Sequence, residues 1–116
     1  MAAVIEAVAP CRADLAGGTL DIWPLGLLHR GSVTVSVAIG ARVTLRVDRS
    51  APRGRVQHLL RGGTPRTLDP DEAAHDLTAA TVFALRPRGG VRVTVNGQPP
   101  IGSGLGGSSA YGVALT

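Results

Sequence analysis

Aromatic residues are scarce. One Phe, one Trp and one Tyr make up 3% of 116 residues, which leaves little to stack the bases of a single-stranded nucleic acid. The one cysteine, Cys11, excludes an internal disulfide and a cysteine-based zinc site. His29, His58 and His75 are too scattered for metal-ligand spacing. Lysine is absent, so no Walker-type phosphate lysine is available. No apolar run approaches the ~20 residues of a membrane-spanning helix, so no membrane partner is expected. The first ten residues carry Glu6 inside an apolar stretch and have no basic start, so they do not read as a secretory signal. A reducing, cytoplasmic setting is the expectation.

What is present argues for a folded domain. The chain is 44% hydrophobic and 17% charged, a balance that favours a packed core over disorder. The length suits one domain. Net charge is +4, and seven of the twelve Arg lie between Arg42 and Arg66 against a single acid, Asp48. That cluster is one candidate for nucleic-acid contact. With no aromatics interleaved, a solvated strand face is the better reading.

The hydrophobic patterning is clear. Val4–Cys11 reads as a strand, and 14–30, rich in Gly, Pro and Leu, as an irregular loop. Val33, Val35, Val37 and Ile39 alternate with small or polar residues, and after Gly40 so do Val43, Leu45 and Val47. This predicts an antiparallel hairpin with one buried face. Arg55–Leu60 is a weaker strand. Asp69 is the predicted N-cap of a helix with Pro70 in its first position and Asp71 and Glu72 in its first turn. Leu77, Ala80, Thr81, Ala84 and Leu85 mark its predicted apolar face. Val91, Val93 and Val95 give another strand. A glycine loop over 99–107 follows, and then a helix from Ser108. That helix stops after about two turns with no C-cap signal, so the chain is expected to be a fragment ending inside a helix.

The glycine loop reads Pro99-Pro100-Ile101-Gly102-Ser103-Gly104-Leu105-Gly106-Gly107-Ser108-Ser109-Ala110. Between a strand and a helix, glycines admit positive φ and close backbone approach, and the first-turn N–H groups face an anion. The same residues also suit a tight turn followed by an N-cap serine. The motif closely resembles the ATP-phosphate loop of the GHMP kinases (galactokinase, homoserine kinase, mevalonate kinase and phosphomevalonate kinase), with Gly107 in place of one serine. That resemblance implies that the loop from Gly102 through Ser103, Gly104, Leu105, Gly106, Gly107 and Ser108 to Ser109 holds the ATP phosphates. It also implies that the Ser109 hydroxyl lies on Mg²⁺.

A second segment, Pro10-Cys11-Arg12-Ala13-Asp14-Leu15-Ala16-Gly17-Gly18-Thr19-Leu20-Asp21, reads on its own as a surface ion-pair network. It resembles the opening motif of the sugar-kinase branch of the same family, close to heptose-phosphate and fucose kinases. The resemblance implies a catalytic Arg12 beside the reacting hydroxyl, and substrate contacts from Asp14, Gly17, Gly18 and Asp21. For Asp14 the alternative reading is a residue that orders the loop. Gly18-Thr19 stands where galactokinases have Glu-His, which puts galactose in doubt. Trp23 is either a sugar platform or packing under the loop, and Cys11 a buried filler.

The resemblance covers the whole chain. It implies an α+β fold, a mixed and mostly antiparallel sheet with helices on one face, forming part of an N-terminal ATP-binding domain over 1–116 without its C-terminal domain. The function it implies is transfer of the ATP γ-phosphate to a sugar or sugar-phosphate hydroxyl, with ATP and Mg²⁺ as cofactors and little turnover by the fragment alone. The alternatives are a non-catalytic nucleotide- or anion-binding module and an RNA-binding domain of related, ribosomal-protein-like fold.

Overall fold

Alternating Val and Leu residues build one sheet and leave one of its faces to be covered by short helices. The computed structural model describes residues 3–20, 22–60 and 62–116. In chain order the elements are β1 (Ile5–Ala16), α1 (Leu25–Leu28), β2 (Val35–Asp48), β3 (Val56–Leu60), β4 (Arg66–Leu68), a 3-10 turn (Ala73–His75), α2 (Leu77–Ala84), β5 (Val91–Gly97) and α3 (Gly107–Leu115). The strand order is β1-β2-β5-β3-β4. Only β3 and β5 run parallel; the other pairs are antiparallel. This is the mixed, mostly antiparallel α+β sheet that the family resemblance implies.

Ala9, Cys11, Val43, Leu45, Val56, Val93 and Val95 are buried on one face. There α3 packs on β1 and β2, and α2 packs on β3. Each full burial of a Val or Leu stabilises by about 1.5–3 kcal/mol. Cys11, 1% exposed, is the expected filler. On the other face Arg46 stands opposite Glu6, and Asp48 opposite Arg92. Arg55 pairs with Asp69 at 2.6 Å. Acids thus stand against some of the arginines of the basic stretch. No helix among these residues is long and apolar enough to cross a membrane.

Two expectations fail. The predicted hairpin is one continuous strand, β2, which pairs with β1 along its length. Gly40 does not have positive φ, which a two-residue hairpin turn would require. It sits in a bulge instead: the partner of Pro10 is Arg42, while that of Arg12 is Ala38, so Ile39, Gly40 and Ala41 face Cys11. The predicted apolar face of α2 is the outward one. Leu77 and Leu85 are exposed, whereas Thr78, Ala79 and Val82 point inward. The helix also begins later than predicted. Asp69 does form a capping box, accepting from the Asp71 and Glu72 amides while Glu72 Oε2 accepts from the Asp69 N–H. That box opens only the 3-10 turn. Asp76 caps α2 itself, accepting from the Ala79 amide at 2.9 Å.

Polar Thr78 is tolerated inside, at 2% exposure, because it is paired. Its Oγ1 lies 2.5 Å from the Tyr111 hydroxyl on α3, and that hydroxyl lies 3.3 Å from His58 Nε2 on β3. Asp76 Oδ2 is 3.7 Å from His58 Nδ1. Burial pushes the Tyr111 phenol above its ordinary range, so it stays protonated. One hydroxyl pair therefore locks α2, α3 and β3 together.

Two outcomes are expected. Tyr111→Phe leaves the Thr78 hydroxyl with only the longer contact to His58 Nδ1, at 3.4 Å, and costs about 1 kcal/mol in urea unfolding, whereas adding Thr78→Val costs less than the sum of the single changes. The second outcome concerns pH. The Asp69 carboxyl is held below 3.8, first by the Arg55 hydrogen bond and then by the Glu72 amide; Ser50 does the same for Asp48. Carboxylates lowered by folding stabilise fully above their unfolded value and lose that contribution as pH falls through the folded one. The melting temperature should hold from neutrality to about pH 4 and drop below it, with a shallower drop in Asp69→Ala.

Candidate anion-binding site

β1 runs past its predicted end and carries Arg12 and Asp14 on the strand. It is an edge strand, so its outer N–H and C=O groups need a partner other than β2. The glycine loop supplies one: the Arg12 amide donates to the Leu105 carbonyl at 3.0 Å. The Arg12 side chain then lies across Gly106, where an added Cβ would come within 3.1 Å of Arg12 Cγ. Gly106 has φ +65° and occupies the N-cap of α3, which no side chain caps. Its conformation and the space above it both require glycine. The Arg12 backbone and side chain are thus fixed against the start of α3, although the two segments lie more than 90 residues apart in sequence.

The loop encloses an open concavity of about 360 Å³, lined by residues from Gln98 to Ser108 and by Tyr111. Gly102 and Gly104 are also left-handed, so the backbone folds back repeatedly over the start of α3. Gly107 rests on Pro99, where a Cβ would meet the ring at 2.8 Å. This contact accounts for glycine where the resembled pattern has serine. Ser108 and Ser109 are exposed in the first turn of α3, whose N–H groups have no intrahelical acceptor. Uncapped amides, the helix dipole and an adjacent guanidinium all favour an anion here.

The N-terminal motif forms a second cluster continuous with the first. Arg12 Nε donates to Asp14 Oδ1 at 3.1 Å, and Ser36 Oγ donates to the same oxygen at 2.7 Å. These contacts, the Ser36 hydrogen bond foremost, hold the Asp14 carboxyl below its ordinary value, so it is ionised at neutral pH. Gly17 has φ +70°, and a Cβ on it would overlap the Val33 carbonyl oxygen; Thr34 Oγ1 donates to the Gly17 carbonyl at 2.9 Å. Gly18 lies directly against Asp14. Arg12, Asp14, Gly17 and Gly18 are therefore brought together. Asp21 lies outside the described residues. Trp23 is 81% exposed and does not pack under the loop.

Sequence reasoning missed Ser36, Thr34 and Tyr111. The only signal was that Thr34 and Ser36 occupy the polar positions of an alternating strand. Their partners follow from the β1/β2 register, which reading that strand as half of a hairpin conceals.

The comparisons with known proteins bear on this geometry. Residues 72–116 match the family model of the GHMP kinases N terminal domain. No curated protein sequence matches the chain. Among solved structures, a D-glycero-D-manno-heptose 1-phosphate kinase from Bacteriodes thetaiotaomicron is 24% identical with a TM-score of 0.71, covering 97% of this chain and 40% of that one. The Methanococcus jannaschii mevalonate kinase is 18% identical with a TM-score of 0.66, covering 99% of this chain and 38% of its own. Another mevalonate kinase is 17% identical with a TM-score of 0.68, covering 96% and 38%. The chain thus spans about 40% of the length of the solved structures it matches. The segment holding α2, β5, the glycine loop and α3 is thus similar to the GHMP kinases N terminal domain, and the chain has the fold shared by these heptose 1-phosphate and mevalonate kinases.

Proposed function

We infer that the chain is the N-terminal, ATP-binding part of a two-domain small-molecule kinase that transfers the γ-phosphate to a sugar or sugar-phosphate hydroxyl. The observation that carries this reading is the seating of Arg12 on Gly106, beside the uncapped start of α3. It gives one place where backbone amides can hold a polyphosphate while a cation faces it. In this reading the loop from Gly102 to Ser109 binds the ATP phosphates. Arg12 stabilises charge on the transferring group. Gly17 and Gly18 face the acceptor. The chain spans about 40% of the length of the solved kinases it resembles, and on this reading it alone is expected to bind nucleotide weakly and turn over little.

The residues suit a magnesium ion held chiefly by the nucleotide. Among the described residues no group of three or more His, Cys, Asp or Glu is placed to hold a metal. Ser109 offers an exposed hydroxyl in the first turn of α3. One protein oxygen plus phosphate oxygens and water is a common arrangement for Mg²⁺, and the ion would supply neutralisation of phosphate charge. The sugar preference rests on the Arg12–Asp21 segment and on the heptose 1-phosphate kinase likeness.

Calorimetric titration with Mg-ATP tests the proposal. The chain is expected to bind, and Ser109→Ala to weaken binding by roughly three- to tenfold. In the presence of a chelator the two should become equal. A folded chain that binds no Mg-ATP, or that instead binds RNA with steep salt dependence, would overturn it.

A further inference from the structure

The geometry points to Ser36 and Asp14 as positioning residues that aim the Arg12 guanidinium at the anion held by the glycine loop. This rests on the reading of that loop as a polyphosphate site. A guanidinium has five N–H donors. Arg12 commits its Nε to Asp14 Oδ1, and among the described residues its two terminal nitrogens have no protein partner. With the stem pressed against Gly106 and Nε held, the terminal fork is left as a pre-set pair of donors for oxyanions.

Asp14 is itself held from three sides. Ser36 stands directly opposite it in the β1/β2 register and donates to Oδ1 at 2.7 Å. Gly18 closes the other side, where a Cβ would come within 3.0 Å of Asp14 Cβ and Oδ2. The strand fixes its backbone. One carboxylate oxygen therefore serves both Ser36 and Arg12, an arrangement suited to orienting the arginine rather than to gripping a substrate hydroxyl. The order of dependence runs from ladder register to Ser36, then Asp14, Arg12 and the loop.

A double-mutant cycle on Mg-ATP affinity tests this, using Arg12→Gln, Ser36→Ala and both together. Ser36 is exposed, so its loss should leave the fold intact. Ser36→Ala is expected to weaken binding about three- to fivefold in the wild-type background and to have no effect beside Arg12→Gln. Ser36→Thr, which keeps the hydroxyl, should retain affinity. If Arg12→Gln weakens binding but Ser36→Ala does not, or if the two effects simply multiply, the positioning role is overturned while the polyphosphate site stands. If the folded wild type binds no Mg-ATP, or Arg12→Gln leaves its affinity unchanged, the parent reading fails and this inference with it.

Discussion

One backbone hydrogen bond, from the Arg12 amide to the Leu105 carbonyl, joins the two halves of the site. β1 is the edge of the sheet, so its outer side must be protected, and the glycine loop does that. The same contact sets how far the loop stands from the sheet. It places Gly106, with its left-handed backbone, under the arginine stem, and so fixes where the first turn of α3 begins. Cys11 next door is buried among sheet residues, so this stretch of β1 has little freedom to shift. The bulge at Ile39–Ala41 absorbs the extra length of β2 at this point and lets pairing resume with Ser36 opposite Asp14.

Magnitudes limit what the site can do by itself. A helix N-terminus favours an anion by about 0.3–1 kcal/mol when exposed and up to ~2 kcal/mol when partly buried. Hydrogen bonds to charged groups add roughly 1.5–3 kcal/mol each. A micromolar dissociation constant requires about 8.2 kcal/mol. A few loop amides and one exposed arginine, less the cost of immobilising the nucleotide, fall short of that figure. Weak binding by these residues is therefore the physical expectation for a chain that spans about 40% of the length of the solved kinases it resembles. The Arg12–Asp14 pair lowers the net charge of the arginine but restricts the direction in which its guanidinium can act.

Local signals were legible in the sequence and non-local ones were not. The strand alternation of Val91, Val93 and Val95 and the glycine-rich turn into α3 depend on near neighbours, and both appear where expected. Gly40 suits a turn or a bulge equally well on local grounds; its partner strand decides. Asp69 and Asp76 are both competent caps, and the later one starts α2. Thr78 turns inward because Tyr111, 33 residues away, supplies a partner that no helical periodicity reveals. Likewise Ser36 gains its place from Asp14, 22 residues earlier, through the β1/β2 ladder. In each case pairing across the sheet or between helices overrode a pattern that was correct locally.

Amide hydrogen exchange on the chain, without nucleotide and with Mg-ATP, tests the central contact most directly. The account predicts that the Arg12 amide is protected in the free chain, that the Gly107, Ser108 and Ser109 amides exchange quickly, and that Mg-ATP slows those three. An Arg12 amide exchanging as fast as those of the exposed loop residues Gly102 and Gly104 would contradict it, because the strand and the glycine loop would then not be joined before the ligand arrives.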